Sequence, residues 1–510
     1  MTESSHKSLI HLSEPGLSFG HGQVLDNPKD GLMLFGPLAD IQGPAALRIG
    51  VIGRQEGISR YRRWVEKINS YIPPVRSDAA HHVAYPGFEA IFGCKWPSTP
   101  ICKLAIPGKS LEDALYINDK HAAIYKTVTL FVEEIKRYIR EEEAHVDLWF
   151  VVIPEEVYTY GRPKSSVPKA LRQESELKMD LKTARSLQKQ PSLFREDNEA
   201  AEIYKYEVHF HNQLKARLLD CKAVVQVTRE TSLTPEDFDR DDGRPLRRLQ
   251  DAASLAWNLS TTAFFKSSGR PWKLANIRQG VCYVGLVFKR DMTSLTPGNA
   301  CCGAQMFLDS GDGLVFKGAV GPWYSETTKE FHLPRQKASE LISTVVAAYK
   351  RQHGVPPKEL FIHGRTRFSD EEWEGFQSSV SLETNIVGVR IREDNTMKLY
   401  GPGEEPVLRG TALIQSRRKG YLWTKGYIPR LQTYPGREVP NPLYIEISRG
   451  ESNLEQVMKD IMGLTKVNFN ACIFADGQPV TLRFADHVGE ILTATPQAHE
   501  LPPLPFKHYI

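Results

Sequence analysis

The sequence predicts an α/β protein built as two successive sheet-and-helix halves. Three observations carry that prediction. Short apolar runs alternate with amphipathic, helix-period stretches from one end of the chain to the other. Residues 146–153 (VDLWFVVI) and 280–288 (GVCYVGLVF) are apolar almost throughout, as strands covered on both faces are. A break over 271–279, just after Gly269 and opening on Pro271, separates a long helical stretch from the second of these runs and marks a seam.

In chain order, the first forty residues are rich in Gly, Pro and Asp. A turn over 26–31 leads into Leu32-Met33-Leu34-Phe35, read as a short strand. Residues 47–52 (LRIGVI) form a buried-strand pattern, followed by Gly53, Gly57 and an amphipathic stretch over 59–68. These glycines do not match the dinucleotide-binding pattern G-x-G-x-x-G. A helix over 131–143 precedes the strand 146–153. From 160 to about 198 the chain turns polar, with Lys, Arg, Ser and several prolines, which reads as an exposed insertion. A helix over 206–219, a short strand over 223–227 and a long helix over 246–265 complete the first half. In the second half, 306–317 has a Gly-Asp-Gly turn between apolar segments, a hairpin signal. Then come helix 336–351, strand 360–362, helix 369–377 with an acidic first turn, strand 444–447 and helix 454–462. Residues 479–490 read as an extended lead into a last helix. The predicted division is a lead-in over 1–45, a first domain over 46–275 with its insertion at about 160–200, and a second domain over 276–510. No internal repeat is visible.

Composition sets bounds on function. With 41% hydrophobic and 25% charged residues, the chain can build large cores and reads as ordinary globular protein. It has no apolar run of about eighteen residues, and Met1 to Ser8 lacks an apolar signal core. Seven cysteines without a CxxC pair, including the adjacent Cys301 and Cys302, fit a reduced compartment, with Cys94, Cys472 and the rest as small core residues. A cytoplasmic protein with no membrane attachment is expected. The net charge of +4 and pI near 8.5 permit a nucleic-acid partner without requiring one.

The most informative constellation lies between 211 and 266. His211 and Lys215 are four apart on a helix, and so share a face. Gln226 ends the next strand. Asn258, Thr262 and Lys266 recur every four residues on the long helix. Spacing leaves two readings open: solvated surface residues, or donors converging on one anion. A phosphate monoester suits the second, because its three acceptor oxygens and near-double charge need several donors.

These residues resemble the pocket in which the MID domain of Argonaute proteins holds a guide 5′ phosphate. The family commonly has Tyr, Lys, Gln and one or two further lysines there. Here His211 takes the Tyr place, and Thr262 stands where many members have another lysine. The likeness continues through Trp272-Lys273-Leu274, 280–287, 359–364, 464–470 and 479–485, which look like segments of a PIWI domain. It is closer still to short prokaryotic Argonautes that work with an APAZ-containing partner, most of all the TIR-associated group. That likeness rests on Asp30-Gly31, Phe35-Gly36-Pro37, 301–309, Gly321-Pro322-Trp323-Tyr324 and Phe506-Lys507-His508-Tyr509-Ile510. The resemblance implies a Rossmann-like MID domain followed by a ribonuclease H-like PIWI domain. It also implies that the carboxylate of Ile510 returns to the pocket and shares a Mg2+ ion with the guide phosphate. The other reading of the tail is an ordinary disordered terminus.

Active PIWI domains hold two metal ions on a carboxylate cluster. By resemblance, the first Asp should stand at Val287 and the second near Gly364, while Asp486 lies near the last ligand position. One carboxylate cannot replace the cluster, so no target cleavage is expected. The exception would be Asp291 or Asp309 substituting through a register shift. Lys289, Arg290, Arg365, Arg367 and Arg483 are candidate contacts to a strand backbone, or else solvated cations. The leading expectation is a sensor with a short 5′-phosphorylated guide RNA and a single-stranded DNA target. Target binding would activate a heterodimeric APAZ effector: TIR, sirtuin-like or nuclease. The alternatives are an active guided nuclease and an α/β enzyme that uses Lys215 and Lys266 for a small phosphate ligand.

Overall fold

The computed structural model describes residues 8–38, 44–175, 179–276, 278–290, 300–307, 313–321, 323–325, 327, 329–496 and 503–510. The first half is built on a four-stranded parallel sheet in the order Cys102–Ala105, Ile49–Gly53, Leu148–Ile153, Val225–Arg229. Successive strand residues feed opposite cores, as the pleat requires. Val51, Phe150 and Val152 pack with Tyr61 and Trp64 of the helix Gln55–Ile68. Ile52, Trp149, Val151 and Ile153 pack with Phe131, Phe210 and Leu214 from the helices Lys120–Glu141 and Phe210–Leu218. Both faces are covered, which is why 148–153 reads as unbroken apolar sequence.

The second half centres on a ten-stranded sheet. Val281–Arg290, Ala300–Phe307 and Gly313–Gly321 form an antiparallel meander, including the expected hairpin. Glu359–Gly364 then runs parallel to Val281–Arg290, and Asn385–Glu393 runs parallel to Glu359–Gly364. The helix Arg335–His353 packs through Leu341, Ile342 and Val345 on Cys282, Val284 and Leu286. Leu443–Arg449, Lys419–Leu422, Thr411–Ser416 and Ser8–His11 extend the sheet, each antiparallel to its neighbour.

Three expectations need correction, and a fourth, the exposed insertion, gains detail. Residues 32–35 belong to a helix, Pro28–Phe35. Pro28 at its first position and the Asn27 side chain accepting from Lys29 N at 3.1 Å are helix-start signals that outweigh a short apolar run. The lead to the last helix is not extended: Pro479 opens the helical turn Val480–Arg483, followed by Ala485–Leu492. The polar insertion carries two helices, Leu181–Lys189 and Arg195–Glu202, around a small core of Ala184, Ala201 and Tyr204. The N-terminal segment is no separate lead-in. Ser8–His11 is a strand of the large sheet, and Leu17–Ser18 pairs with Val24–Leu25 and, at the seam, with Lys273–Leu274.

Cys94, Cys102, Cys282 and Cys472 are buried and Cys221 is half-buried. The side chains of Cys301 and Cys302 lie outside the described residues. Among the described residues, no helix is long and apolar enough to cross a membrane.

Candidate functional site

The helix Phe210–Leu218 starts where the His209 ring accepts from the Asn212 backbone N–H. It carries half-buried His211 and, one turn on, buried Lys215. Lys215 Nζ donates to the Ile510 main-chain oxygen at 2.6 Å, with the Tyr509 carbonyl oxygen at 3.4 Å. The tail is held there by packing: Leu504, Phe506, Tyr509 and Ile510 are buried, and Phe506 packs against Phe307 and Phe484.

Lys266 closes the helix Ala252–Lys266 and is 1% exposed. Its Nζ donates to Gln226 Oε1 at 2.8 Å and to the Val225 carbonyl oxygen at 3.1 Å. Gln226 and His211 line one cavity of about 330 Å3 with His209, Arg162, Tyr158 and Arg229. Lys215 and Lys266 lie near enough for their charges to act on each other and on His211, so with the Lys266–Gln226 bond the four residues meet.

Asn258 does not join them, whereas buried Thr262 lies one turn before Lys266. Asn258 Nδ2 donates to Gln250 Oε1 at 2.9 Å, and its Oδ1 accepts from Cys472 N across the seam at 2.9 Å. Thr262 donates back to the Asn258 carbonyl oxygen at 2.8 Å. The reason is geometric: each step of four residues rotates the face by about 40°. Two steps carry Asn258 well round the helix from Lys266.

Burial sets the electrostatics. It pushes the Lys215 ammonium down to about 7. Lys266 falls well below its ordinary value for the same reason, and further because Lys215 is a nearby cation. Burial and both lysines hold His211 neutral. Among the described residues, neither lysine forms an ion pair with a side-chain carboxylate. Buried cations without an anion are costly, and a dianion entering here would relieve that cost. The sign follows: the lysines give up protons easily when the pocket is empty and regain them when phosphate binds. Calorimetry slightly above neutral pH, in buffers of different ionisation enthalpy, should show net proton uptake with a 5′-phosphorylated oligonucleotide. A 5′-hydroxyl oligonucleotide should show none.

Several groups near the pocket carry no readable spacing signal. Arg162 and Arg229 both stack on Tyr158, at 3.8 and 3.7 Å from its ring centroid. His508 is buried, with its Nδ1 unpartnered among the described residues, and burial pushes its imidazole down to about 4. At the seam, Asn212 Nδ2 donates to Glu207 Oε2 at 3.2 Å, and burial pushes the Glu207 carboxyl up to about 7.

The positions compared with a nuclease are also placed. Val287 lies in Val281–Arg290, its side chain outside the described residues, as are Asp291 and Asp309. His363, 1% exposed, pairs through Nδ1 with Thr481 Oγ1 at 2.9 Å, and burial pushes it down to about 3, leaving it neutral. Gly364 follows and ends its strand. Asp486 forms an ion pair with Arg365 at 3.0 Å. The other candidate strand contacts are engaged too. Lys289 meets Glu490 at 2.9 Å, Arg367 meets Glu446 at 3.0 Å and Arg483 meets Asp476 at 3.2 Å. Arg290 lies 5.4 Å from the Tyr324 ring centroid. A strand phosphate would have to share these cations with their present partners.

No protein-family model matches the chain, and no curated protein matches it. Solved structures do. The Clostridium butyricum Argonaute bound to a guide DNA with a 5′ deoxycytidine and a 19-mer target DNA aligns with TM-score 0.59 and 14% identity, covering 96% of this chain and 53% of that one. The structure of Aa-Ago with externally bound siRNA gives 0.56 and 15%, covering 98% and 56%. A. aeolicus Argonaute gives 0.54 and 14%, covering 97% and 54%. This chain thus spans about half the length of each of these proteins. At such identities the likeness speaks to fold alone: an α/β architecture resembling the MID–PIWI arrangement of Argonautes.

Proposed function

We propose that the chain is a short Argonaute that binds a guide strand by its 5′ phosphate and recognises a complementary target. The observation that carries this reading is the pair of buried lysines, Lys215 and Lys266, gathered with Gln226 and His211 and left without a side-chain counter-charge among the described residues. The Argonaute-like fold supports it. So does the order of the second half, a three-stranded meander followed by two parallel strands, which is the order of a ribonuclease H-like core. The four parallel strands of the first half suit a Rossmann-like MID domain.

In this reading the guide is a short RNA and the target single-stranded DNA from a plasmid or phage. Base pairing supplies sequence specificity while the protein holds backbone and shape, as in other guided systems. The Ile510 main-chain oxygen beside Lys215 is a hard donor suited to Mg2+, whose remaining positions phosphate and water oxygens would fill. Such an ion would help neutralise the guide phosphate. The partner would be an APAZ-containing effector in a cytoplasmic heterodimer, with a TIR or sirtuin-like NADase or a nuclease as its active part. Target binding would activate it, producing abortive immunity.

The direct test is the affinity for one oligonucleotide with and without a 5′ phosphate. The pocket reading expects a strong preference for the phosphate, and equal affinities would remove it. The PIWI half is proposed to hold target without cutting it. A complementary target incubated with the guide-loaded chain and Mg2+ or Mn2+ should stay intact on a denaturing gel. Guide-dependent cleavage would instead establish the active-nuclease alternative.

A further inference from the structure

The large sheet carries a surface that the phosphate pocket does not use. Asn385–Glu393, Leu443–Arg449 and Lys419–Leu422 lie side by side, and their residues alternate between two faces. Val389, Ile391, Ile445, Ile447 and Leu422 are buried in the core on one side. The residues between them occupy the other face in registered rows. In one row Arg390 aligns with Glu446, and Glu446 with Lys419. In the next, about 7 Å along the strands, Arg392 aligns with Tyr444, and Tyr444 with Tyr421.

The first row concentrates positive charge. The buried Glu446 carboxylate holds Arg367 at 3.0 Å, and Arg390 and Lys419 at 3.5 Å each. Glu330 stands 3.8 Å from Arg390. The Arg367 and Lys419 side chains remain 59% and 45% exposed, so the carboxylate fixes these cations in place without hiding them. The second row is aromatic. The Tyr421 and Tyr444 ring centroids are 5.4 Å apart, and the exposed Arg392 guanidinium lies 5.2 Å from the Tyr444 ring. The basic row begins beside Gly364, which aligns with Arg390.

Cations that track a backbone beside aromatic faces on which bases stack are what sequence-tolerant binding of single strands requires. We propose that this face binds one unpaired nucleic-acid strand, with phosphates along Arg367, Lys419 and Arg392 and bases against Tyr421 and Tyr444. The proposal takes from the reading above only that the ligand is nucleic acid.

The test uses the whole chain without guide and a 5′-hydroxyl oligothymidylate, whose binding does not depend on the phosphate pocket. Affinity is measured across a series of salt concentrations. Tyr421→Ala with Tyr444→Ala should weaken binding by about tenfold or more, since each stacked base contributes substantially. The corresponding Phe pair should restore it, because the stacking face is kept. Arg367→Ala with Lys419→Ala should lower the slope of log affinity against log salt by about 1.4, or about 0.7 for each lost phosphate contact. Wild-type affinity and slope in all these variants would overturn the proposal, as would a wild-type chain that does not bind the oligothymidylate. Either failure would leave guide binding untouched, because that is read from the 5′ phosphate.

Discussion

Replacing Lys215 and Lys266 together by alanine is expected to abolish the preference for a 5′-phosphorylated guide over its 5′-hydroxyl counterpart. Each lysine would supply a charge-assisted hydrogen bond to the phosphate, so the loss should reach at least about a hundredfold. The hydroxyl guide, which makes neither contact, should bind variant and wild type alike. Folding should survive the change. Both ammonium groups are buried, and burial already pushes them toward the neutral form. A Lys→Met pair, which keeps the volume, should give the same result. Competition binding with the two guides gives the discrimination directly. Equal weakening of both would mean that the lysines act on the fold and not on the phosphate.

The largest expected effect on stability lies far from that pocket. Glu14 accepts from Arg409 Nε through both carboxylate oxygens, at 3.1 and 3.0 Å, and from Lys466 Nζ at 2.8 Å. The Arg409 and Lys466 side chains are only 2% and 0% exposed. Glu14→Ala would strand two buried cations at once, and breaking a buried pair from one side costs about 3–5 kcal/mol. Arg409 keeps the Thr424 carbonyl and Thr465 hydroxyl as acceptors, and Lys466 keeps the Asp26 carbonyl, so the group is weakened and not emptied.

Denaturant unfolding should show the loss, and its pH dependence has a definite sign. Burial pushes Lys466 down to about 8 while Glu14 pulls it up. An ammonium whose folded pKa lies below the unfolded value of about 10.4 loses its proton first in the folded state. Stability therefore rises with pH between about 8 and that value. Without Glu14 the folded pKa falls further, so the gain on raising pH should begin lower and be larger. A variant as stable as wild type at neutral pH would show that Glu14 is not the anchor of the N-terminal segment.

What the sequence makes legible follows from the range over which each signal acts. The covered strands over 146–153 and 280–288 and the helix carrying His211 and Lys215 are local patterns, and the structure contains them. Lys215 and Lys266 lie on different helices, yet each sits at a position that periodicity can mark. The same periodicity misleads for Asn258, two steps from Lys266, because a four-residue repeat drifts round a 3.6-residue helix. The helix Pro28–Phe35 was signalled by its cap and its proline, and an apolar tetrapeptide hid it. The contacts of Glu14 with Arg409 and Lys466 span 395 and 452 residues, and no local pattern records them. The strand Ser8–His11 is four residues long and mostly exposed, so it has no buried stripe to announce it. Register hides the basic and aromatic rows equally well, since their members come from three strands that only pairing aligns.

The central claim is that this chain carries a guide. The most direct measurement is to purify it from cells and sequence the nucleic acid that accompanies it. Short RNAs of narrow length distribution bearing 5′ phosphates are the predicted result. No nucleic acid, or only fragments of random length that salt removes, would contradict the account.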